Sequence, residues 1–222
     1  MRFKFSLVLL MAGFLAAGSI SFMGGRFYPS ASSDIWDVNF ENLILSRENF
    51  QSNLGYLEWE WGKRHTTFFM GAAISGRRSI TTEYRDYVWA DGSPIEQTVY
   101  FKDAPFYLGL RFYPVPVYRK GLLPFVGGGV AFVSWEWSQS GEFIDFSDPN
   151  LPIYYGEYYR RDSAAGLFLN AGIVVKLDRS LGLRIMGLYT WAHGNLEPVF
   201  LGFEPIDLSG FTVLAGVSIF KR

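Results

Sequence analysis

At 222 residues the chain has the size of one domain, and 49% hydrophobic, 18% aromatic and 24 glycine residues mark it as apolar without being helical-membrane in kind. A formal net charge of -1 gives no footprint for a nucleic-acid partner. Cysteine is absent and only His65 and His193 are present, which excludes disulfide scaffolds, thiolate metal sites, cysteine nucleophiles and multi-histidine centres. No cofactor is expected.

The N-terminus opens with basic Arg2 and Lys4, an apolar run over residues 5–17, and small Ala16-Ala17-Gly18-Ser19. That layout predicts a secretory signal peptide over 1–18, with 19–222 as the mature domain. An exported chain without a second apolar helix is periplasmic, secreted, or a barrel in the outer membrane.

Hydrophobic period separates these, because alternation with period 2 marks strands. The first strand is expected over 20–29, where Met23, Gly25 and Phe27 alternate with Phe22, Gly24, Arg26 and Tyr28. The second, 54–61, sets Leu57, Trp59 and Trp61 against Tyr56, Glu58 and Glu60. In the third, 68–80, Phe68, Met70, Ala72 and Ile74 oppose Gly71, Ala73 and Ser75. The fourth, 99–114, sets Phe106, Leu108, Leu110 and Phe112 against Tyr107, Gly109, Arg111 and Tyr113. Strand five, 122–137, contains Gly127-Gly128-Gly129 and is read with Val126, Val130 and Phe132 outward. Strands six (158–177), seven (181–191) and eight (210–221) alternate likewise, with Arg184 on the mixed face of the seventh.

One face of most strands is wholly apolar. The other combines small residues with Arg26, Glu58, Glu60, Arg111 and Arg184, too few charges for a water-facing surface. An eight-stranded antiparallel up-and-down transmembrane β-barrel fits both faces, with lipid outside, a packed polar lumen inside, and no unpaired strand edge. The links after strands two, four and six are short and basic, whereas those at 30–53, 81–98, 138–157 and 192–209 are long and mostly acidic. That alternation places the turns in the periplasm and four loops outside the cell. Tyr28, Trp59, Trp61, Tyr100, Tyr113, Tyr118, Trp135, Trp137, Tyr158, Tyr159, Tyr189 and Trp191 fall near strand ends, where an interfacial girdle would need them.

The Leu123-Pro124-Phe125-Val126-Gly127-Gly128-Gly129 opening and the alternating final strand make the chain resemble the small eight-stranded outer-membrane proteins, such as the outer-membrane protein A barrel and outer-membrane protein W. The resemblance implies the bacterial outer membrane as location, its lipids as surroundings and the barrel-assembly machinery as partner during biogenesis. That family usually ends on an aromatic residue. Here Phe220 is followed by Lys221 and Arg222.

Three roles follow. A structural or interaction barrel would present its loops to an unknown extracellular partner, with Arg26, Glu58, Glu60, Arg111 and Arg184 forming a structural charge network in the lumen. The second is a narrow conduit for small hydrophobic molecules, suggested by the glycine-rich strand five. The third is a lipid A hydrolase: barrels of that activity resemble this chain in being eight-stranded, and their active site looks like a histidine, a serine two residues on, and an acid. Here the motif is His193-Gly194-Asn195 with Asp207. An amide at the nucleophile's position cannot be activated for attack, and nothing in the sequence places Ser209 beside His193, so the chain is not expected to be an enzyme. His65 and the acidic loop residues are read as solvated, the latter lacking EF-hand spacing.

Overall fold

The computed structural model describes residues 18–76, 78–117 and 121–221, without the side chain of Lys63. The expected signal segment through residue 17, and Tyr118 of the aromatic set, lie outside the described residues. The strands are β1 (Ser19–Pro29), β2 (Ser52–Lys63), β3 (Thr66–Ser75), β4 (Arg78–Val88), β5 (Pro94–Phe112), β6 (Gly121–Ile144), β7 (Ile153–Lys176), β8 (Leu181–Gly194), β9 (Ile206–Asp207) and β10 (Gly210–Phe220). All pairings are antiparallel, in the ring β1-β2-β3-β5-β6-β7-β8-β10, which closes where Tyr28 meets Phe211 and Ser19 meets Phe220. The eight ring strands match the expected barrel; β4 and β9 lie off the ring.

Alternation decides the facing. Phe68, Ile74, Leu110, Phe112, Val126, Val130, Leu167, Leu169, Ile185 and Phe211 are exposed on the outer wall, while Phe69, Tyr107, Phe125, Phe168, Met186 and Leu214 are buried within. Exposed aliphatic and aromatic side chains spread over all sides of one barrel are what a lipid-facing wall requires, because a water-facing wall would bury them. β6 and β7 each run for 24 residues, about twice the 9–11 that cross a bilayer. Their apolar outward positions, such as Val126, Phe132, Leu167 and Ile173, lie in the halves nearest the short turns. The remainder forms a hairpin standing above the belt, paired continuously to Ile144↔Ile153.

Four expectations are corrected. The link at 30–53 is not irregular: it contains helix α1 (Asp34–Asn42) and a 3-10 turn (Arg47–Phe50). Nine helical residues carry too little period to stand out from sequence, and α1 is held by packing, with Ile35 and Trp36 fully buried. The strand expected over 68–80 breaks at Gly76, after which β4 pairs with β5 in a hairpin of its own, from Arg78↔Phe101 to Val88↔Pro94. The segment at 81–98 and the flanks of 138–157 are therefore largely strand. Tyr113, Trp135 and Trp137 point into the barrel, so they belong to the core and not to a girdle. In β1 the expected faces are reversed: Met23 and Phe27 are buried, and Phe22 and Tyr28 exposed.

Candidate functional site in the barrel lumen

Glu58 and Glu60 on β2, Arg111 on β5 and Arg184 on β8 all have inward parity, and the curvature of a small barrel brings them to one level. Arg111 Nη1 donates to Glu58 Oε1 (2.8 Å) and Glu60 Oε2 (2.9 Å), and its Nη2 donates to Glu58 Oε2 (3.0 Å). Arg184 Nη2 donates to Glu60 Oε2 (2.7 Å), and its Nη1 donates to Glu58 Oε1. The remaining acceptor capacity is taken by hydroxyls: Tyr56 to Glu58 Oε2 (3.1 Å), and Thr67 (2.6 Å) and Tyr113 (2.7 Å) to Glu60 Oε1. Two anions and two cations cancel, and Glu58 and Arg184 are completely buried.

Desolvating four charges is costly, and only dense pairing of this kind offsets it. The Arg111 guanidinium is also held between the Phe69 and Phe125 rings, its carbon 4.2 and 4.3 Å from their centroids. Glycines make room for those rings. A Cβ on Gly109 would come within 3.1 Å of Phe69, and one on Gly172 within 2.7 Å of Phe125. The glycines of the mixed face therefore accommodate aromatic bulk rather than leaving an open bore.

Arg26 does not join the other four. It lies on the outer wall with Phe22 and Tyr28, its guanidinium 5.8 Å from the Tyr28 ring. The reason is parity: inward positions of β1 are Ser19, Ser21, Met23 and Phe27, so an arginine at 26 must face out. Near the outer end of its strand it can extend toward polar surroundings.

The sequence reading missed a second lumen pair. Arg78 bridges to Asp103, donates to Phe50 O (2.8 Å) and lies 4.7 Å above the Phe101 ring; Ser75 Oγ donates to Asp103 Oδ1 (2.9 Å). Above it, Trp36 of α1 packs edge-on against Phe50, Phe101 and Trp137, at centroid distances of 4.8, 5.4 and 4.7 Å. Trp36 Nε1 donates to Asp207 O (3.0 Å), and Asn39 is hydrogen-bonded to Gln139. α1 thus fills the outer mouth. The signal for Arg78 was its place beside a glycine break, but the facing of a strand that starts there is not set by the preceding one.

At the end that carries the short turns, a cavity of about 600 Å³ is floored by Glu60 and Tyr113 and walled by Trp61, Lys176 and Phe220. Between the charged layer and the outer aromatic layer lies a void of about 10 Å³ bordered by Tyr56, Tyr107 and Thr190. That is about one water.

His193 is exposed on β8 with Nε2 3.9 Å from Asp207 Oδ1. Asp207 is committed elsewhere: its Oδ2 accepts from the Ser32 amide (3.1 Å) and hydroxyl (2.8 Å), and its Oδ1 from the Ser209 amide (2.9 Å). Ser209 Oγ faces the Ala192 backbone, accepting from its amide at 3.2 Å. The acid therefore fastens the 30–53 link to β9. At the hairpin tips, hydrogen bonds from Ser93 and Ser147 hold the Asp91 and Asp145 carboxyls below their ordinary pKa, and burial raises the Tyr84 phenol.

The molecule is thus a closed eight-stranded antiparallel barrel with an apolar outer belt, a charged layer and an aromatic plug. No family model and no curated protein matches the chain. Among solved structures it is similar to outer membrane protein OprG from Pseudomonas aeruginosa, with a TM-score of 0.54 at 13% identity, covering 93% of this chain and 97% of that one. Neisserial surface protein A (TM-score 0.45, 10% identity, 92% and 98% covered) and Ail of Yersinia pestis (0.44, 11%, 91% and 98%) also align. At such identities the likeness concerns the fold, and OprG carries it. The chain has the fold of the small eight-stranded outer-membrane barrels.

Proposed function

We propose that the protein is an integral barrel of the bacterial outer membrane that anchors and presents its outer hairpins, with a lumen built for rigidity and not for passage. The observation that carries this reading is the stacking of two closures along one bore: the Glu58, Glu60, Arg111 and Arg184 layer below, and the Trp36 plug above. The apolar belt supplies the lipid contact, and the short turns and the Ser19 and Phe220 ends of β1 and β10 lie at the periplasmic side. On this reading residues 1–18 are removed on export, and β10 is the segment read by the barrel-assembly machinery. The conduit is the weaker alternative, because its only support is the blind periplasmic cavity.

The chain lacks cysteine, so single-cysteine labelling tests this cleanly. In intact cells an impermeant maleimide is expected to label Tyr155→Cys on the outer hairpin and not Arg179→Cys in a short turn; the reverse pattern contradicts the orientation. The folded barrel is also expected to migrate faster on SDS gels before boiling than after.

A further inference from the structure

The ring leaves one long strand edge open. β7 pairs with β8 only from Gly166↔Ala192 to Lys176↔Gly182, whereas it pairs with β6 up to Ile153. Above Gly166, on the side away from β6, no described strand pairs with β7. The opposite margin of the outer sheet is treated differently: β4 is covered by the Leu43↔Tyr84 bridge and by the Ile44 amide on Glu83 O (2.9 Å). An exposed edge is a template for a further strand, and most such edges are blunted by proline, bulges or covering segments. This one carries Tyr155, Glu157, Tyr159, Arg161 and Ser163 on its outward face, all exposed, and Tyr155 is 78% exposed. Neither Glu157 nor Arg161 forms an ion pair among the described residues.

We propose that this edge pairs with the same edge of a second copy of the chain held in a facing membrane. The sequence of the edge is self-complementary in one antiparallel register. With Tyr159 opposite its own copy, Glu157 of each strand stands opposite Arg161 of the other, and Tyr155 opposite Ser163. Directly opposed residues share a face in antiparallel pairs, so both charge pairs and the tyrosine pair meet on the outward side. A shift of two residues either way sets Glu157 against Tyr159 or Ser163 and loses both charge pairs.

Membrane geometry selects the partner's location. Copies in one membrane have β7 running the same way relative to the bilayer, so two like edges could meet only in parallel, which turns their outward faces to opposite sides of the joint sheet and forms neither Glu157–Arg161 pair. Copies in two apposed membranes run in opposite senses, as the antiparallel register demands. A contact of about ten residues per strand is small for a stable interface, so each pair is weak and adhesion comes from many copies acting together. The proposal rests on the outward orientation of the hairpins in the reading above. The maleimide pattern tests that orientation on its own.

The test uses the whole barrel in vesicles, with clustering followed by light scattering. Wild-type vesicles are expected to cluster, and Glu157→Arg or Arg161→Glu to slow clustering about tenfold by replacing two attractive pairs with two repulsive ones. Vesicles of Glu157→Arg mixed with vesicles of Arg161→Glu are expected to recover, since that pairing restores both opposite-charge contacts. Oxidation of clustered Tyr159→Cys vesicles is expected to give disulfide-linked dimers, with each variant's barrel integrity checked by its gel mobility before boiling. Absence of wild-type clustering, indifference to the single reversals, or failure of the mixed variants to recover would each overturn the proposal.

Discussion

The lower and upper halves of the lumen are closed by different chemistry. Below, four charges cancel in a layer supplied wholly by ring strands. Above, the plug is aromatic: Trp36 and Phe50 come from α1 and the 3-10 turn of a link, and they pack on Phe101 and Trp137 of ring strands β5 and β6. The lower layer is bound to barrel formation, since its partners sit on β2, β5 and β8 and meet only once the ring closes. The link's share of the plug is expected to come away while the ring stays intact. Stability of the barrel and order at its outer mouth should therefore be separable.

Removing one cation from the lower layer should have the largest effect. Arg111→Met leaves Glu58 and Glu60 with one buried counter-charge, and is expected to cost about 3–5 kcal/mol in urea unfolding of the lipid-inserted barrel. Replacing Glu58, Glu60, Arg111 and Arg184 together by Met is expected to cost far less, because no charge is stranded. A quadruple variant as unstable as the single one would break the comparison.

Trp36→Ala is next, at about 3 kcal/mol. That loss should fall on the plug alone, seen as faster proteolysis between β1 and β2 with the barrel's unfolding midpoint little changed. A fall in both would show the halves to be coupled. Asp207→Asn removes the charge from the hydrogen bonds that tie Ser32 to β9, and about 1 kcal/mol of loss at the same link is expected, read as faster amide exchange there. Arg26→Gln, on the outer wall and unpaired with the layer, should change unfolding by less than about 0.5 kcal/mol. A loss as large as that of Arg111 would return it to the network.

What the sequence made legible follows the same division. Where residues are carried by uninterrupted ring strands, as in β2, β5 and β8, period 2 fixed the inward parity of Glu58, Glu60, Arg111 and Arg184. Parity failed in β1, because a strand of Phe, Met, Gly and Tyr has two nearly equivalent faces, and a lone Arg26 points to the lumen from sequence although it faces outward. It failed again past Gly76, where a break resets the facing and hides Arg78. α1 was not legible, since its helix owes its stability to contacts with Phe101 and Trp137, far off in sequence. The outermost parts of β6 and β7, residues 138–144 and 153–157, read as loops because tyrosine and charge replace the apolar alternation once the strand leaves the belt.

Single-channel recording in planar bilayers measures whether the bore is shut at both levels. Wild-type protein is expected to add no discrete conductance steps. Steady stepwise currents from wild-type barrels would contradict a lumen closed by the charged layer and the plug.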